Sequence, residues 1–158
     1  MAIVVLVGAV ACGQPAVLDG ERTEARIAET VTETYGVEVD SVACPDEIEV
    51  RDGARFRCRA RLGAGTLPIE VRQTDGEGAL DVMPTRAVLV TSRVEADIAE
   101  VLADRFERDE VEVACGGDPV RIEAEGATFE CVAVDGAEQK GVAVRVRDTR
   151  GALTYTLT

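Results

Sequence analysis

The sequence predicts an α+β fold of two tandem repeats, each with one N-terminal helix packed on an antiparallel sheet of about four to five strands. Three observations lead to this prediction: an internal duplication, a helical apolar pattern at the start of each half, and a period of two after it. We expect the first repeat domain at 20–84 and the second at 92–158, joined by a linker at 85–91. A signal segment at 1–12 and a short linker at 13–19 precede them.

The duplication is visible when the chain is compared with itself. An offset of 71 residues aligns EARIAE (24–29) with EADIAE (95–100), and it also aligns the first cysteine of each repeat. An offset of 73 aligns GARFRC (53–58) with GATFEC (126–131). The difference between the offsets indicates two extra residues in the second copy, which we assign to the pair Gly116-Gly117. A period of this length is typical of a small domain and too long for a solenoid unit.

Each repeat begins with a predicted amphipathic helix. In the first repeat the apolar positions recur at helical spacing from Ile27 to Tyr35, and Gly36 is the predicted C-terminal stop. The apolar stripe of the second helix is Val94, Ile98, Val101, Leu102 and Phe106. Ser92 and Glu95 are predicted to form a capping box at the start of that helix.

After each helix, apolar and polar residues alternate, which is typical of strands with one buried face. The strands predicted in the first repeat are VEVDSVAC (37–44), IEV (48–50), FRCRARL (56–62), PIEVRQT (68–74) and ALDVM (79–83). Those predicted in the second are VEVAC (111–115), VRIEA (120–124), FECVAV (129–134), VAVRVRD (142–148) and ALTYTL (152–157). Glycine-containing turns separate most of them. We expect each helix to cover one sheet face and to leave the other face open.

Four of the five cysteines occupy matched positions in the two repeats: Cys44 and Cys58, then Cys115 and Cys131. We predict one disulfide within each repeat, because so small a unit buries little apolar surface and gains stability from a covalent link. Four buried thiols or a zinc site are the alternatives, but the chain has no histidine and no Cys-x-x-Cys motif. Disulfides predict an extracytoplasmic location. No metal and no other cofactor is expected.

The fifth cysteine, Cys12, ends the uncharged apolar run AIVVLVGAVAC (2–12). The run has the length of a signal-peptide core and is too short to span a bilayer. It resembles a bacterial lipoprotein signal, in which the chain is cut before Cys12 and this cysteine carries the lipid. Ala9 stands where such signals usually have leucine, and no lysine or arginine precedes the run. We predict a membrane anchor at Cys12; an ordinary cleaved signal peptide of a secreted protein and a buried first strand are the alternatives.

The segments VACPDEIEVRDGARFRC (42–58) and VRQTDGEGAL (71–80) resemble a domain family of unknown function found on actinobacterial cell-envelope lipoproteins. The matching residues of the first repeat are Cys44, Pro45, Gly53, Phe56 and Cys58. The second repeat matches at Gly126, Phe129 and Cys131, but it has Gly116 where the family has proline. The resemblance implies a place in the cell envelope, and it brings no catalytic residues because the family has no assigned activity.

The composition excludes several classes of protein. The net charge of −13 is spread over both repeats, which argues against nucleic-acid binding. Without histidine or a Gly-x-Ser-x-Gly motif, no nucleophile triad is expected. Paired carboxylates such as Asp46 with Glu47, and Asp109 with Glu110, are the kind of groups that a glycosidase uses. The chain has only three Phe, two Tyr and no Trp to form a sugar platform, so we predict that it is not an enzyme.

Arginines alternate along the predicted strand FRCRARL and its flank, on the side away from the helix. They are Arg55, Arg57, Arg59 and Arg61; the matching positions of the second repeat are Thr128, Glu130, Val132 and Val134. The arginines are predicted either to pair across strands with acids such as Glu49 and Glu70 or to form an anion-binding face. In the second case Val132 and Val134 are candidates for the contact between the repeats or with a protein partner.

Together these features predict an exported, lipid-anchored, non-catalytic module that binds or supports something at the cell envelope. Its partners would be the membrane, through the lipid on Cys12, and an envelope polymer or a protein. One alternative is a secreted scaffold that resembles a protein inhibitor and presents its tandem sheets to a partner, an analogy at the level of fold alone. A hydrolase that uses carboxylates is the weaker alternative.

Overall fold

The computed structural model describes residues 15–107 and 111–158. The first repeat contains α1 (Gly20–Tyr35), β1 (Ser41–Ala43), β2 (Arg55–Leu62), β3 (Gly65–Gln73) and β4 (Leu80–Pro84). Strand β5 (Ala87–Val90) follows. The second repeat contains α2 (Thr91–Phe106), β6 (Glu112–Ala114), β7 (Val120–Glu123), β8 (Thr128–Asp135), β9 (Glu138–Val146) and β10 (Leu153–Leu157). The predicted signal segment with Cys12, and the carboxylate pair Asp109 and Glu110, lie outside the described residues.

The two repeats form equivalent antiparallel sheets, in the orders β1-β2-β3-β4 and β6-β8-β9-β10. Cys58 lies opposite Ile69 in the first sheet, and Cys131 lies opposite Val142 at the corresponding place in the second. The predicted mixture of helix and antiparallel sheet, present in two copies, is therefore confirmed.

Each repeat has its own core between its helix and one face of its sheet. Ile27 and Val31 of α1 are fully buried with every second residue of β2 and β3. Ile98 and Leu102 of α2 are buried in the same way against β8 and β9. Full burial of a Val, Leu or Ile side chain stabilises a fold by about 1.5–3 kcal/mol. The period-two pattern of the sequence thus directs one face of each sheet toward the helix.

The start of α2 differs from the prediction. The helix begins at Thr91, after Val90 as the capping residue, and no side chain caps it. The capping box predicted for Ser92 and Glu95 is wrong, because Glu95 Oε1 instead accepts a hydrogen bond of 2.8 Å from the amide of Cys115. Two residues of the predicted stripe, Val101 and Phe106, are about half exposed.

The end of α1 agrees with the prediction. Gly36 has a φ of 68° and its amide donates to the carbonyl of Thr32, as expected of a glycine at a helix C-terminus. At the other end Asp19 accepts a hydrogen bond of 3.0 Å from the amide of Arg22, which caps the helix.

The segment 85–91, predicted as a linker, contains β5 and the first residue of α2. Strand β5 pairs with β7, with Val88 opposite Ile122. In the first repeat the equivalent pairing is a single bridge between Val17 and Glu49, so IEV (48–50) is not a full strand. The duplicated unit therefore includes the residues just before each helix.

The pair β5–β7, which we call the joining ribbon, connects the two cores. Val88 belongs to the core of the first repeat, and Val90, Val120 and Ile122 pack against it. Ala87 and Leu89, on the other side of β5, belong to the core of the second repeat. The repeats are thus connected by the ribbon and by a hydrogen bond of 3.3 Å from Arg93 Nη1 to the carbonyl of Tyr35. The predicted candidates Val132, which is 43% exposed, and Val134 belong to neither core.

Candidate functional site

The four matched cysteines form the two predicted disulfides. Cys44 is bonded to Cys58 and Cys115 to Cys131, each within its own repeat, with S–S distances of 2.02 and 2.01 Å. The bonded residues are 14 and 16 positions apart. Closing a loop of this length stabilises a fold by about 3 kcal/mol in the chain-entropy model. In both repeats the bond ties the end of the short edge strand to the middle of the neighbouring strand.

A glutamate on each helix holds the first cysteine of its repeat. Glu24 Oε1 accepts a hydrogen bond of 2.9 Å from the amide of Cys44, and Glu95 forms the matching bond with Cys115. We call this pair the helix glutamates. Sequence reasoning missed their role, although both are the first residue of the duplicated segment EARIAE or EADIAE.

The arginines of β2 lie on the face of the sheet opposite the helix. Arg55, Arg57, Arg59 and Arg61 are all exposed, whereas Cys58, Ala60 and Leu62 between them are buried. We call the four residues the arginine row. Strand β2 lies between β1 and β3 at Arg59 and Arg61, whereas Arg55 and Arg57 extend beyond β1 and are flanked by β3 alone.

Only one member of the row has an ionic partner among the described residues. Arg55 Nη1 is 2.6 Å from Glu70 Oε1. Arg57, Arg59 and Arg61 form no ion pair and no side-chain hydrogen bond within 15–107 and 111–158. Cross-strand pairing therefore explains Arg55 but leaves three guanidinium groups exposed.

The neighbours of the row are short and uncharged at two of its positions. Arg59 lies between Ala43 and Pro68 on the adjacent strands. Arg61 is flanked in the same way by Ser41 and Thr66. A surface cavity of about 650 Å³ adjoins the row and is lined by Ala43, Pro45, Arg57, Arg59, Pro68, Glu70 and Thr85, with the disulfide and Ile69.

The charge of this face is opposite to that of the chain. Five arginines, which are the row and Arg72, share it with two carboxylates, Glu70 and Asp81, an excess of three positive charges. The equivalent face of the second sheet carries Glu112, Glu130 and Arg145, an excess of one negative charge. The positive face therefore belongs to the first repeat alone, on a chain with a net charge of −13.

Carboxylates at two equivalent turns are used by the backbone. Asp75 accepts hydrogen bonds from the amides of Ala79 and Glu77, which lower the pKa of its carboxyl below the ordinary value. The pKa of Asp148 is also lowered, chiefly by the amide of Ala152. Both carboxylates therefore stabilise turns of the backbone.

The second repeat contains one polar cluster that sequence reasoning missed. The guanidinium of Arg121 lies 4.3 Å from the centre of the Phe129 ring and donates a hydrogen bond of 3.3 Å to the carbonyl of Cys115. It also pairs with Glu123 at 3.1 Å. Gly116, beside this guanidinium, has a φ of 106°, which proline cannot adopt. This explains why Cys-Gly replaces the Cys-Pro of the first repeat.

The carboxylate pair predicted in the first repeat follows Pro45, which lines the cavity beside the row. Asp46 and Glu47 are exposed in the turn after Cys44. Neither α1 nor α2, the helices of the described residues, is long and apolar enough to cross a membrane.

Comparison of the chain with known proteins identifies a protein family that it matches. The family described as Domain of unknown function (DUF4333) matches the chain twice, over residues 3–78 and 80–151. No curated protein and no solved structure matches it. The two matches agree with the two sheets, the two disulfides and the two helix glutamates.

Proposed function

The chain belongs to the DUF4333 family, with two copies of that domain in tandem, and from this membership and the geometry above we propose a function in binding. The protein is an exported, lipid-anchored and non-catalytic module of an actinobacterial cell envelope. It binds anionic groups there through the arginine row.

The observation that carries this proposal is that Arg57, Arg59 and Arg61 have no ionic partner in the part of the chain that the structure describes. In a chain with a net charge of −13, carboxylates are abundant enough to neutralise every exposed arginine. The short neutral residues beside Arg59 and Arg61 leave these guanidinium groups open to a ligand instead. Each planar guanidinium can donate two parallel hydrogen bonds to a phosphate or a carboxylate.

The disulfides support an extracytoplasmic location. Disulfides persist in oxidising compartments, and this chain has one in each repeat. A lipid on Cys12 would lie three residues before Pro15, the first described residue. Three extended residues span roughly 10 Å. The repeat that bears the row is thus the one held next to the membrane.

The anchor is tested by the intact mass of the protein extracted from membranes. A diacyl or triacyl adduct on an N-terminal Cys12 is expected, together with a mass increase on reduction that corresponds to two opened disulfides. A mature N-terminus after Cys12, or a full-length chain without an adduct, contradicts lipid anchoring.

Binding is tested in an unlipidated form that begins at residue 12 and carries Cys12→Ala, so that both the lipid and the apolar run 2–11 are removed; we call it the Cys12→Ala protein. The vesicles are of phosphatidylglycerol or of phosphatidylcholine. Arg57→Gln with Arg59→Gln is the test variant, and Arg26→Gln with Arg150→Gln is the matched control. The control arginines are 71% and 89% exposed, and both variants change the net charge by the same amount. Each basic residue near an anionic surface contributes about 1 kcal/mol, so the test variant should bind roughly 30-fold more weakly.

The control should bind phosphatidylglycerol within about twofold of the parent protein, because its arginines lie outside the row. Phosphatidylcholine vesicles should bind none of the three proteins. Equal binding by the test variant and the control, with both folded by circular dichroism, would refute the function of the row.

A further inference from the structure

The arginine row is linear, and its shape restricts the ligand. Successive residues on one face of a strand are about 6.7 Å apart, so Arg57, Arg59 and Arg61 extend over roughly 13 Å along β2. Their side chains therefore present positive charge along a single line.

The strands on either side add no positive charge beside these three positions. On that face β1 contributes Ser41 and Ala43, and β3 contributes Thr66, Pro68 and Glu70. A flat layer of anionic headgroups would meet one line of arginines with neutral or acidic flanks. A linear polyanion lying along β2 would meet all three arginines, with Glu70 opposite Arg57 as the acidic neighbour on β3 and Asp81 further away on β4.

The cavity beside Arg57 and Arg59 gives further information about the ligand. Its walls include Ala43, Pro45 and Pro68, which are apolar and suit carbon segments. The hydroxyl groups of Ser41 and Thr66 flank Arg61 and can bond to ligand hydroxyls. A chain of phosphates joined by short polyol units has all three kinds of group: negative charges for the arginines, carbon segments for the apolar walls, and hydroxyls for Ser41 and Thr66.

From these observations we propose that the row binds a linear phosphodiester polymer with short polyol units between its phosphates. The polymer lies parallel to β2 and places successive phosphates on Arg57, Arg59 and Arg61. This inference rests on the proposed function, since it names the ligand class of the same face.

The experiment uses the Cys12→Ala protein and synthetic glycerol-phosphate oligomers with one, two, three or six phosphates, measured by calorimetry. Each phosphate up to the third should raise the affinity about fivefold, because each engages one more arginine. Beyond the third phosphate the gain should be no more than the statistical factor of about four, because the six-phosphate oligomer can place three consecutive phosphates on the row in roughly four registers. Inorganic triphosphate, with the same number of phosphates and no spacers, should bind about tenfold more weakly than the three-phosphate oligomer.

Arg61→Gln is the diagnostic variant, with Arg150→Gln as its control. Loss of Arg61 should remove the gain from the third phosphate and leave the affinity for the two-phosphate oligomer within about twofold. The control should reproduce the complete dependence on length.

Three results would overturn the proposal of a linear polymer. They are an affinity that does not depend on oligomer length, an affinity for triphosphate equal to that for the three-phosphate oligomer, and tighter row-dependent binding to phosphatidylglycerol vesicles than to any oligomer. In each of these the row still binds anions, so the proposed function survives. If Arg57→Gln with Arg59→Gln changes binding to no anionic probe, both proposals fail.

Discussion

The helix glutamates provide a prediction with an internal control, because the same hydrogen bond occurs twice, at two cysteines that differ in burial. Glu95 bonds to the amide of Cys115, a residue that is only 2% exposed. Glu24 bonds to the amide of Cys44, which is only partly buried. Removal of either carboxylate leaves a backbone donor without its partner, and we expect water to replace the carboxylate more readily at Cys44, the less buried cysteine.

The expected magnitudes follow from this difference. A hydrogen bond to a charged group contributes about 1.5–3 kcal/mol when its loss leaves a buried donor unpaired, so Glu95→Ala should lower the free energy of unfolding by about 2 kcal/mol. Glu24→Ala should cost about 1 kcal/mol, since water replaces the carboxylate. Gln retains an acceptor oxygen, so Glu95→Gln should lose less than half as much as Glu95→Ala. Glu100→Ala, on an exposed position of α2, controls for helix propensity.

The assay is urea unfolding followed by circular dichroism, with hydrogen exchange at the amides of Cys44 and Cys115. With a slope of about 2 kcal/mol per molar urea, Glu95→Ala should shift the midpoint by roughly 1 M. The reasoning is refuted if Glu95→Ala costs no more than Glu24→Ala, or if neither change exceeds that of Glu100→Ala.

Three further predictions follow from the fold. Cys115→Ser with Cys131→Ser should lower the free energy of unfolding by about 3 kcal/mol in urea, and an unchanged midpoint would contradict the role of the bond. The pKa values of the Asp75 and Asp148 carboxyls are lower in the folded protein than in the unfolded chain. The stability that these two groups contribute is therefore fully present above their unfolded pKa, near pH 4, and is lost as the pH falls through their folded pKa values. Replacing both by Asn should therefore flatten the decrease in thermal midpoint between about pH 5 and pH 2; an unchanged slope would assign the acid sensitivity to other groups. Val88→Ala should cost about 2 kcal/mol and increase hydrogen exchange in the β2–β3 hairpin, although β5 lies outside that sheet. Faster exchange confined to the second repeat would contradict the joining ribbon.

The parts of the fold that could be predicted have local patterns. Alternation along FRCRARL placed Cys58 in the core and Arg57 on the open face, because a strand directs successive side chains to opposite sides. The repeated spacing of the cysteines predicted both disulfides.

The parts that could not be predicted depend on contacts between distant segments. AVLV (87–90) has no alternation because one face of β5 is buried in each repeat, so it lacks the signal of a half-buried strand. Glu95 has the sequence context of a capping box, but its carboxylate accepts a hydrogen bond from the amide of Cys115, 20 residues away. For the candidate site, the sequence predicted the line of arginines. The strand register places Glu70 opposite Arg57, and only the side-chain geometry shows that Glu70 bonds diagonally to Arg55 instead.

The joining ribbon also limits how copies of this chain can stack. Within the molecule, Val88 and Ile122 of the ribbon pack on Leu62 and its neighbours, and Gly65 is so close that a methyl group there would lie 2.7 Å from Ile122. At the far end of the second repeat the positions equivalent to Leu62, Gly65 and Leu67 are Asp135, Glu138 and Lys140. At the near end of the first repeat the position equivalent to Ile122 is Glu49. A head-to-tail filament that reused this contact would force charged groups into an apolar joint, so divergence at a few positions protects the molecule from open-ended polymerisation.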